Sequence, residues 1–173
     1  MQATQATNLG LYDNYIMAEP FTSMRKGGRF DQSTILKYED GSEWIFLNNV
    51  PKERFCGFLY LQNALKESGL NNVFAAENKM TMHNHQIIYL SRYCGEKRPE
   101  YFEHKANLQT LSDKIGFTDT AGCANLREED GKIYVFDTEK HSFDPTVRHK
   151  IDSFIPLHDA IKASLEELLA EPK

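Results

Sequence analysis

The feature that most constrains the fold of this chain is a short hairpin signal flanked by two polar residues that are able to bind a metal ion. Asp130-Gly131 is a strong two-residue turn signal, and residues 132–136 read as a strand with apolar side chains toward the buried end. Because a tight turn pairs the segments on either side of it, Asn125 and Asp137 are predicted to lie close together. Amide and carboxylate oxygens are ligands that Mg²⁺ accepts. The alternative is that both residues cap the ends of an ordinary surface hairpin.

The composition indicates a globular protein and argues against one function class. The chain of 173 residues is 40% hydrophobic and contains 11 Phe and 8 Tyr, enough for a core in one domain or in a small two-lobed protein. Its net charge of −5 argues against a general nucleic-acid binder, which needs clustered Lys and Arg. Cys56, Cys94 and Cys123 are far apart and odd in number, so they predict a reducing compartment and no disulfide framework.

The sequence also predicts where the protein resides. No apolar run approaches the roughly 20 residues of a membrane-spanning helix, and residues 1–7 lack the charged and apolar regions of a secretory signal. We therefore predict a cytoplasmic protein with no membrane or nucleic-acid partner. The acidic stretch 164–171 resembles a bacterial secretion signal, which would imply delivery by a secretion system, but the end of a helix is the better explanation.

Strand and helix signals along the chain predict an α+β fold. Runs at 33–38 and 43–47 joined by Asp40-Gly41 predict a hairpin, and a helix is predicted from Pro51 to about Ser68. The later predicted elements are strands at 72–76 and 86–93 separated by a polar loop, a helix at about 101–114, the hairpin, an irregular stretch at 138–153 and a final helix from Pro156.

From this order we predict a small antiparallel sheet with one packed helix, followed by a short and mostly helical lobe. The predicted boundaries are 1–27 for an N-terminal segment, 28–95 for the sheet-rich lobe and 96–173 for the helical lobe that carries the metal-binding hairpin.

This element order resembles that of small, atypical protein kinases, close to the aminoglycoside phosphotransferases, and the match covers residues 28–143. In that family a sheet with one helix leads through a hinge to a mostly helical lobe. In this chain the helical lobe would be truncated. The resemblance implies ATP and Mg²⁺ as cofactors, in a cleft between two lobes. It implies Asp119 as the catalytic residue that orients or deprotonates the acceptor hydroxyl, and Asn125 and Asp137 as the metal ligands. The segment 89–95 corresponds to the hinge that receives adenine, which implies Tyr93 as a cofactor-binding residue.

Several positions depart from the family pattern. The family places Asn five residues after the catalytic Asp, whereas Asp119 precedes Asn125 by six. The strand at 43–50 contains no Lys for the nucleotide phosphates, and the following helix offers Gln62 where the family has Glu. Two lysines are implied as cofactor-binding substitutes: Lys37 on the preceding strand, and Lys26, which precedes a Gly-Gly pair.

These residues lead to two functional hypotheses and a third reading of the fold. The first is a kinase-like nucleotide-binding protein that transfers a phosphoryl group from ATP with magnesium, to a protein or another phosphoacceptor. The second is a catalytically silent pseudokinase that acts as a protein-binding module, so the sequence leaves open whether the chain is an enzyme. The third is an α+β binding protein of another fold.

Two other polar stretches offer alternatives of their own. If the segment around His83-Asn84-His85 is extended, its two imidazoles lie on one face and are able to bind a metal, whereas a polar loop leaves them in solvent. Glu139, Lys140 and His141 either touch a substrate or form an exposed charged turn.

Overall fold

The computed structural model describes residues 12–17, 21–27 and 33–170. In chain order, its strands and helices are β1 (Phe21–Gly27), β2 (Ser33–Tyr38), β3 (Glu43–Leu47), α1 (Pro51–Ser68), β4 (Val73–Ala75), β5 (Asn78–His83), β6 (Gln86–Arg92), α2 (Lys105–Thr110), β7 (Leu126–Glu129), β8 (Lys132–Val135), α3 (Arg148–Asp152) and α4 (Ile155–Ala170). The predictions about residues 1–7 and Gly28 lie outside the described residues.

The chain divides into two compact units that alternate along the sequence. The first unit consists of the residues up to Asn49, the segment Asn78–Arg92 and the residues from Pro156 onward. The second unit consists of Val50–Glu77 and Tyr93–Ile155. Neither unit is therefore one continuous stretch of the chain.

The first unit contains a five-stranded antiparallel sheet with the strand order β1-β2-β3-β6-β5. The predicted strands at 33–38 and 43–47 are confirmed as β2 and β3. The sequence analysis did not predict β1, because the residues between its first and last positions are all exposed and show no alternation of apolar and polar side chains.

The segment 77–85 is not the polar loop that was predicted. Asn78–His83 forms β5, which pairs with β6 from Asn78 opposite Ser91 to His83 opposite Gln86. Asn84 and His85 make the connecting turn with φ values of 51° and 61°, the geometry that closes a two-residue hairpin. Because His85 lies in the turn, the extended arrangement that would present two imidazoles on one face does not form.

Both faces of the five-stranded sheet carry buried side chains. One face holds a cluster of four buried residues, Leu36, Tyr38, Trp44 and Leu90. Successive residues of a strand point to opposite faces, so Tyr89 lies on the other side. There its hydroxyl group lies 2.8 Å from Nε2 of His158 on α4, and the two rings are stacked.

The second unit contains a three-stranded sheet of order β4-β8-β7, with α1 and the shorter helices packed around one core. β4 pairs with β8 in parallel, and β7 pairs with β8 in antiparallel orientation. The core residues that are almost fully buried include Leu61, Leu111, Phe117, Leu126, Ile133, Val135 and Ile151.

The longest helix of the second unit, α1, has the bounds that the sequence predicted. Pro51 occupies the start of the helix, where its missing N–H group costs nothing, and Gly69 ends it with a φ value of 70°. The hydroxyl group of Tyr60 donates a hydrogen bond of 2.6 Å to the carbonyl oxygen of Ile115, which fastens α1 to the end of the turn that follows α2.

The fold class is α+β, as predicted, with an antiparallel sheet, one long packed helix and a small helical part. Helix α4 confirms the predicted final helix, and Ile161 and Leu165 of its apolar stripe are buried, whereas the side chain of Leu168 lies outside the described residues. Over the described ranges, no helix combines the length and the apolar character needed to cross a membrane.

Candidate functional site

The β7–β8 hairpin brings the two predicted metal ligands to neighbouring chain ends. Leu126 lies opposite Val135, and the N–H group of Phe136 donates a hydrogen bond of 3.2 Å to the carbonyl oxygen of Asn125. The turn at Asp130-Gly131 has φ values of 54° and 77°, the left-handed conformation that a tight hairpin turn requires. The predicted hairpin is confirmed, and Asp137 follows directly after the residue that pairs with Asn125.

The side chain of Asn125 fixes the loop that contains Asp119. Its Nδ2 atom donates a hydrogen bond of 3.2 Å to the carbonyl oxygen of Asp119. This leaves Oδ1 of Asn125 as the amide atom available to a cation. All three residues that the resemblance implied for catalysis and metal binding, Asp119, Asn125 and Asp137, therefore lie in the second unit.

The loop of Asp119 is also tied to the segment that follows Asp137. The N–H groups of Thr118 and Asp119 both donate to the carbonyl oxygen of Ser142, at 2.9 Å and 3.2 Å. The hydroxyl group of Ser142 lies 3.4 Å from Oδ2 of Asp119, and Phe117 pairs with Phe143. The Asp119 carboxylate is half-buried and keeps one oxygen, Oδ1, without a hydrogen bond among the described residues.

The carboxylate of Asp137 is poorly compensated. Its single hydrogen bond within the described residues comes from the N–H group of Glu139, over 3.4 Å. Burial raises the pKa of Asp137 above its ordinary value, and the nearby Arg54 guanidinium only partly opposes that increase. The negative charge of this side chain is therefore costly in the protein alone, and a bound cation would stabilise it.

Glu139, in contrast, is fully engaged. Nε and Nη2 of Arg54 both donate to its Oε1 atom, the first over 3.0 Å, and Nδ1 of His141 lies 2.9 Å from Oε2. Asp137, Glu139 and His141 each place one possible ligand atom within 4.8 Å of the others. The sequence analysis had noted Glu139 and His141 only as substrate contacts or an exposed turn. The repeated spacing of two residues, from Asp137 to Glu139 and from Glu139 to His141, was the available signal for a shared site.

The first two turns of α1 hold the segment that contains these carboxylates. The hydroxyl group of Thr138 donates a hydrogen bond of 2.6 Å to the carbonyl oxygen of Arg54, and the N–H group of Lys140 donates one of 3.0 Å to the carboxylate of Glu53. At Gly57 the backbones approach so closely that an added Cβ atom would lie 2.0 Å from the carbonyl oxygen of Thr138. Sequence reasoning missed Arg54 and Gly57, since they lie far from Asp137 along the chain and belong to no recognisable motif.

The predicted hinge segment 89–95 begins within β6, and its last residues, from Tyr93 to Gly95, belong to the second unit, where Gly95 contacts β7. Arg127 donates from Nε to the carbonyl oxygen of Gly95 over 3.2 Å, and its guanidinium lies 4.5 Å from the ring centre of Phe136. The hydroxyl group of Tyr93 donates to Glu96 over 2.7 Å. Tyr93 is thus placed in the second unit by contacts of its own, and its role toward adenine stays a prediction.

The two lysines that were predicted to contact phosphates lie in the first unit. Lys26 is on β1, where its ammonium group donates a hydrogen bond of 2.9 Å to the hydroxyl group of Thr34 on β2. Lys37 is an exposed residue of β2. Their role in cofactor binding likewise stays a prediction.

A second group of possible metal ligands consists of Glu103, His104 and Glu128. Here the carboxylate of Glu128 already has a cationic partner, because the ammonium group of Lys97 lies 2.8 Å from it. The hydrogen bond with Lys97 is the largest cause of the lowered pKa of Glu128. The negative charge of Glu128 is thus stabilised by a cation, whereas burial disfavours the charge of Asp137. We therefore regard the hairpin ends as the better candidate site.

Comparisons of the chain with protein-family models, with characterised proteins and with solved structures found no match.

Proposed function

We propose that this chain is a kinase-like nucleotide-binding protein that binds ATP with magnesium and transfers a phosphoryl group to a hydroxyl acceptor. The observation that carries the proposal is that the β7–β8 hairpin sets Asn125 opposite Phe136, the residue before Asp137, while the Asn125 amide binds the main chain of Asp119. The roles implied by the sequence resemblance require Asp119, Asn125 and Asp137 in one place. These contacts support the proposal without depending on any single motif.

The residues at the hairpin ends fit a magnesium ion. Asp137 has a charge that burial penalises, and Asn125 has its Oδ1 atom unused within the described residues because its Nδ2 is bound to the loop. One carboxylate and one amide oxygen leave the remaining positions of the ion to water and phosphate oxygens, as is usual for magnesium at nucleotide sites. When bound, the ion would neutralise charge on the phosphates.

Asp119 is suited to handle the acceptor. Its carboxylate is oriented by Ser142 through Oδ2, which leaves Oδ1 to accept a hydrogen bond from an acceptor hydroxyl group. With ATP bound, Asp119 would accept the proton of the acceptor hydroxyl group while the acceptor oxygen bonds to the γ-phosphorus and ADP leaves by cleavage of its own bond to that phosphorus. The loop is anchored at Ser142 and Asn125, so the carboxylate is held in position before the acceptor arrives.

A second candidate function is a catalytically silent pseudokinase that acts as a protein-binding module. It is favoured by β3, whose residues Glu43–Leu47 include no lysine for the phosphates. Phosphoryl transfer depends on positioning and charge neutralisation. The loss of this lysine therefore lowers the rate of transfer more directly than it lowers nucleotide binding.

The experiment that tests the proposal is a thermal-shift titration with ATP and MgCl₂. We expect the wild-type midpoint to rise with ligand concentration, because a ligand that binds only the folded state stabilises it. Asp137→Asn is expected to lose this rise. The matched control is Asp130→Asn, which removes the same charge from the other end of the same hairpin and keeps the turn, since Asn-Gly is also favoured there.

A radiolabel-transfer assay then separates the two functions. Transfer that disappears in Asp119→Asn, with the thermal shift retained, supports the enzyme. A thermal shift without any transfer supports the pseudokinase. The absence of a thermal shift at every magnesium concentration, or an equal shift in Asp137→Asn, would contradict the nucleotide site itself.

A further inference from the structure

A cleft of about 660 Å³ lies in the second unit, and none of the residues of the candidate site lines it. The C-terminal half of α1 forms one wall, and the turn that follows α2 forms another. The third wall comes from α3 and the two residues after it. The volume is within the range of about 300–1,000 Å³ that is typical of pockets for small molecules.

The deep part of the cleft is apolar. Tyr60 and Ile115 are buried there, and Ala64 and Phe154 are partly buried in the same lining. The hydroxyl group of Tyr60 donates its hydrogen bond to the carbonyl oxygen of Ile115, so these two polar groups satisfy each other without a ligand. The deep part therefore suits an apolar portion of a ligand.

The exposed part of the lining carries an excess of positive charge. Lys114 and Lys150 are both exposed, and neither ammonium group has an ion pair or a hydrogen bond within the described ranges of the chain. The single acidic side chain among the described residues of the lining is Glu67, which accepts a hydrogen bond of 3.4 Å from Asn63. The cleft is thus locally positive in a protein whose net charge is −5.

The exposed charges and the apolar part of the cleft are close to each other. Burial raises the pKa of Tyr60, and the negative charge of Glu67 raises it further. A charge on the exposed lining therefore acts on the buried Tyr60, so a single ligand is able to contact both parts of the cleft.

We propose that this cleft binds a small organic anion, with its apolar part against Tyr60 and Phe154 and its anionic oxygens at Lys114 and Lys150. Ammonium groups form charge-assisted hydrogen bonds with carboxylate and phosphate oxygens, and such bonds are roughly twice as strong as neutral ones. Burial of the apolar part adds to the affinity. The inference goes beyond the proposed function, because it concerns a second site that uses none of the residues assigned to magnesium or to the acceptor.

A small molecule fits these observations better than an acidic peptide does. Both offer negative charge next to apolar groups, but a cleft of this volume encloses only a few residues of a peptide. Peptide recognition usually depends on longer contacts, such as an added strand or a helix docked along a groove. The peptide is therefore an outcome for the test to exclude.

The test is a fluorescence titration with 8-anilinonaphthalene-1-sulfonate, an aromatic anion whose emission rises on contact with apolar surface. We expect saturable binding to the wild type. The double variant Lys114→Gln with Lys150→Gln is expected to raise the Kd at least about tenfold, since both cationic partners of the sulfonate are lost. The matched control, Lys66→Gln with Lys105→Gln, removes two exposed charges of the same unit outside the cleft and is expected to leave the Kd unchanged.

A neutral probe separates the effect of charge from that of shape. N-phenyl-1-naphthylamine lacks the sulfonate group, so its Kd is expected to be the same for the wild type and the double lysine variant. Ala64→Leu adds volume to the apolar lining and is expected to raise the Kd of both probes. Glu67→Gln is expected to lower the Kd of the sulfonate probe about threefold, because a like charge is removed.

Competition experiments identify the anionic group and the class of ligand. Phenyl phosphate and 3-phenylpropanoate carry a phosphate and a carboxylate on similar apolar bodies, and we expect at least one of them to displace the sulfonate probe. Displacement only by an acidic peptide that contains phenylalanine would replace the small molecule by a peptide ligand. An equal Kd for the double lysine variant and its control would overturn the inference altogether. Neither result bears on the ATP and magnesium site, which is tested by its own variants.

Discussion

At the scale of single residues, burial decides which ionisable groups are costly. Asp137 and Glu139 are close in sequence, but only Glu139 has a cation in direct contact. For Asp137, burial outweighs the attraction of Arg54 and raises the pKa. The same effect acts on Tyr38 in the first unit, where burial, partly opposed by a hydrogen bond with Thr81, raises the pKa to about 12. The free-energy cost of charging Asp137 and Tyr38 therefore arises only when the chain is folded.

Tyr38 gives a testable dependence of stability on pH. Its pKa in the folded state is raised from 10.0 to about 12, so the folded protein holds this proton more tightly than the unfolded chain does. The stability that it contributes is present below pH 10 and is lost as the pH rises toward 12. We expect the free energy of unfolding in urea to fall less steeply over that range for Tyr38→Phe than for the wild type.

The control for this measurement is Tyr101→Phe, which removes the hydroxyl group of a tyrosine that is 41% exposed. Its alkaline profile should follow that of the wild type. A Tyr38→Phe profile that also follows the wild type would show that ionisation of Tyr38 does not contribute to alkaline unfolding.

At the scale of elements, α1 carries both the core of the second unit and the contacts that place the candidate site. Its buried residues include Phe55, Leu61 and Leu65, and its first two turns bind the segment of Thr138 through Arg54 and Glu53. A helix glycine, Gly57, makes the close approach of the two backbones possible. The stability of the helix and the geometry of the site are thus linked within one element.

Gly57→Ala tests this link. We expect it to destabilise the protein, although a change from glycine to alanine within a helix usually stabilises. Alanine in a helix interior is normally about 1 kcal/mol more favourable than glycine. Here the added Cβ would lie 2.0 Å from the carbonyl oxygen of Thr138, so the backbones must separate. We expect chemical denaturation to show a loss of about 1–3 kcal/mol, the usual range for overpacking, together with weaker binding of Mg²⁺.

Asn63→Ala provides the comparison, because it raises helix propensity at an exposed position of α1. This variant should be as stable as the wild type or slightly more stable. If Gly57→Ala were stabilised to the same extent, the close contact with Thr138 would be refuted.

At the scale of the whole molecule, the chain passes repeatedly between two units that alternate along it. The first unit takes its last helix, α4, from the end of the sequence, and that helix supplies His158, which is 1% exposed, and the buried Ile161 and Leu165. The sheet of the first unit is therefore completed by residues far from its strands in sequence.

Removal of α4 tests this arrangement. A chain truncated after Ile155 loses the hydrogen bond and the stacked ring that His158 provides to Tyr89 and uncovers buried apolar surface. We expect a lower midpoint of thermal unfolding and rapid proteolysis in the strands of the first unit, β2, β3, β5 and β6. Truncation after Ala170, which keeps the whole helix, should leave the midpoint unchanged, and equal midpoints for both truncated chains would contradict the packing of α4 on the sheet.

Some elements were predictable because their signals are local. The turn at Asp130-Gly131, the start of α1 at Pro51 and its end at Gly69 follow from the backbone preferences of single residues. β1 and β5 were missed for the opposite reason. The exposed side chains of β1 carry no periodic pattern, and β5 begins with polar residues whose burial depends on their partners.

The sequence by itself determined the hairpin, and with it the proximity of Asn125 and Asp137, since pairing across a tight turn involves only neighbouring residues. Only the tertiary structure decided that Arg54 meets Glu139 across 85 positions of sequence and that Gly57 receives the backbone of Thr138. Such contacts depend on which surfaces of α1 and of the hairpin are buried against each other, and turn chemistry and periodicity carry no information about that choice.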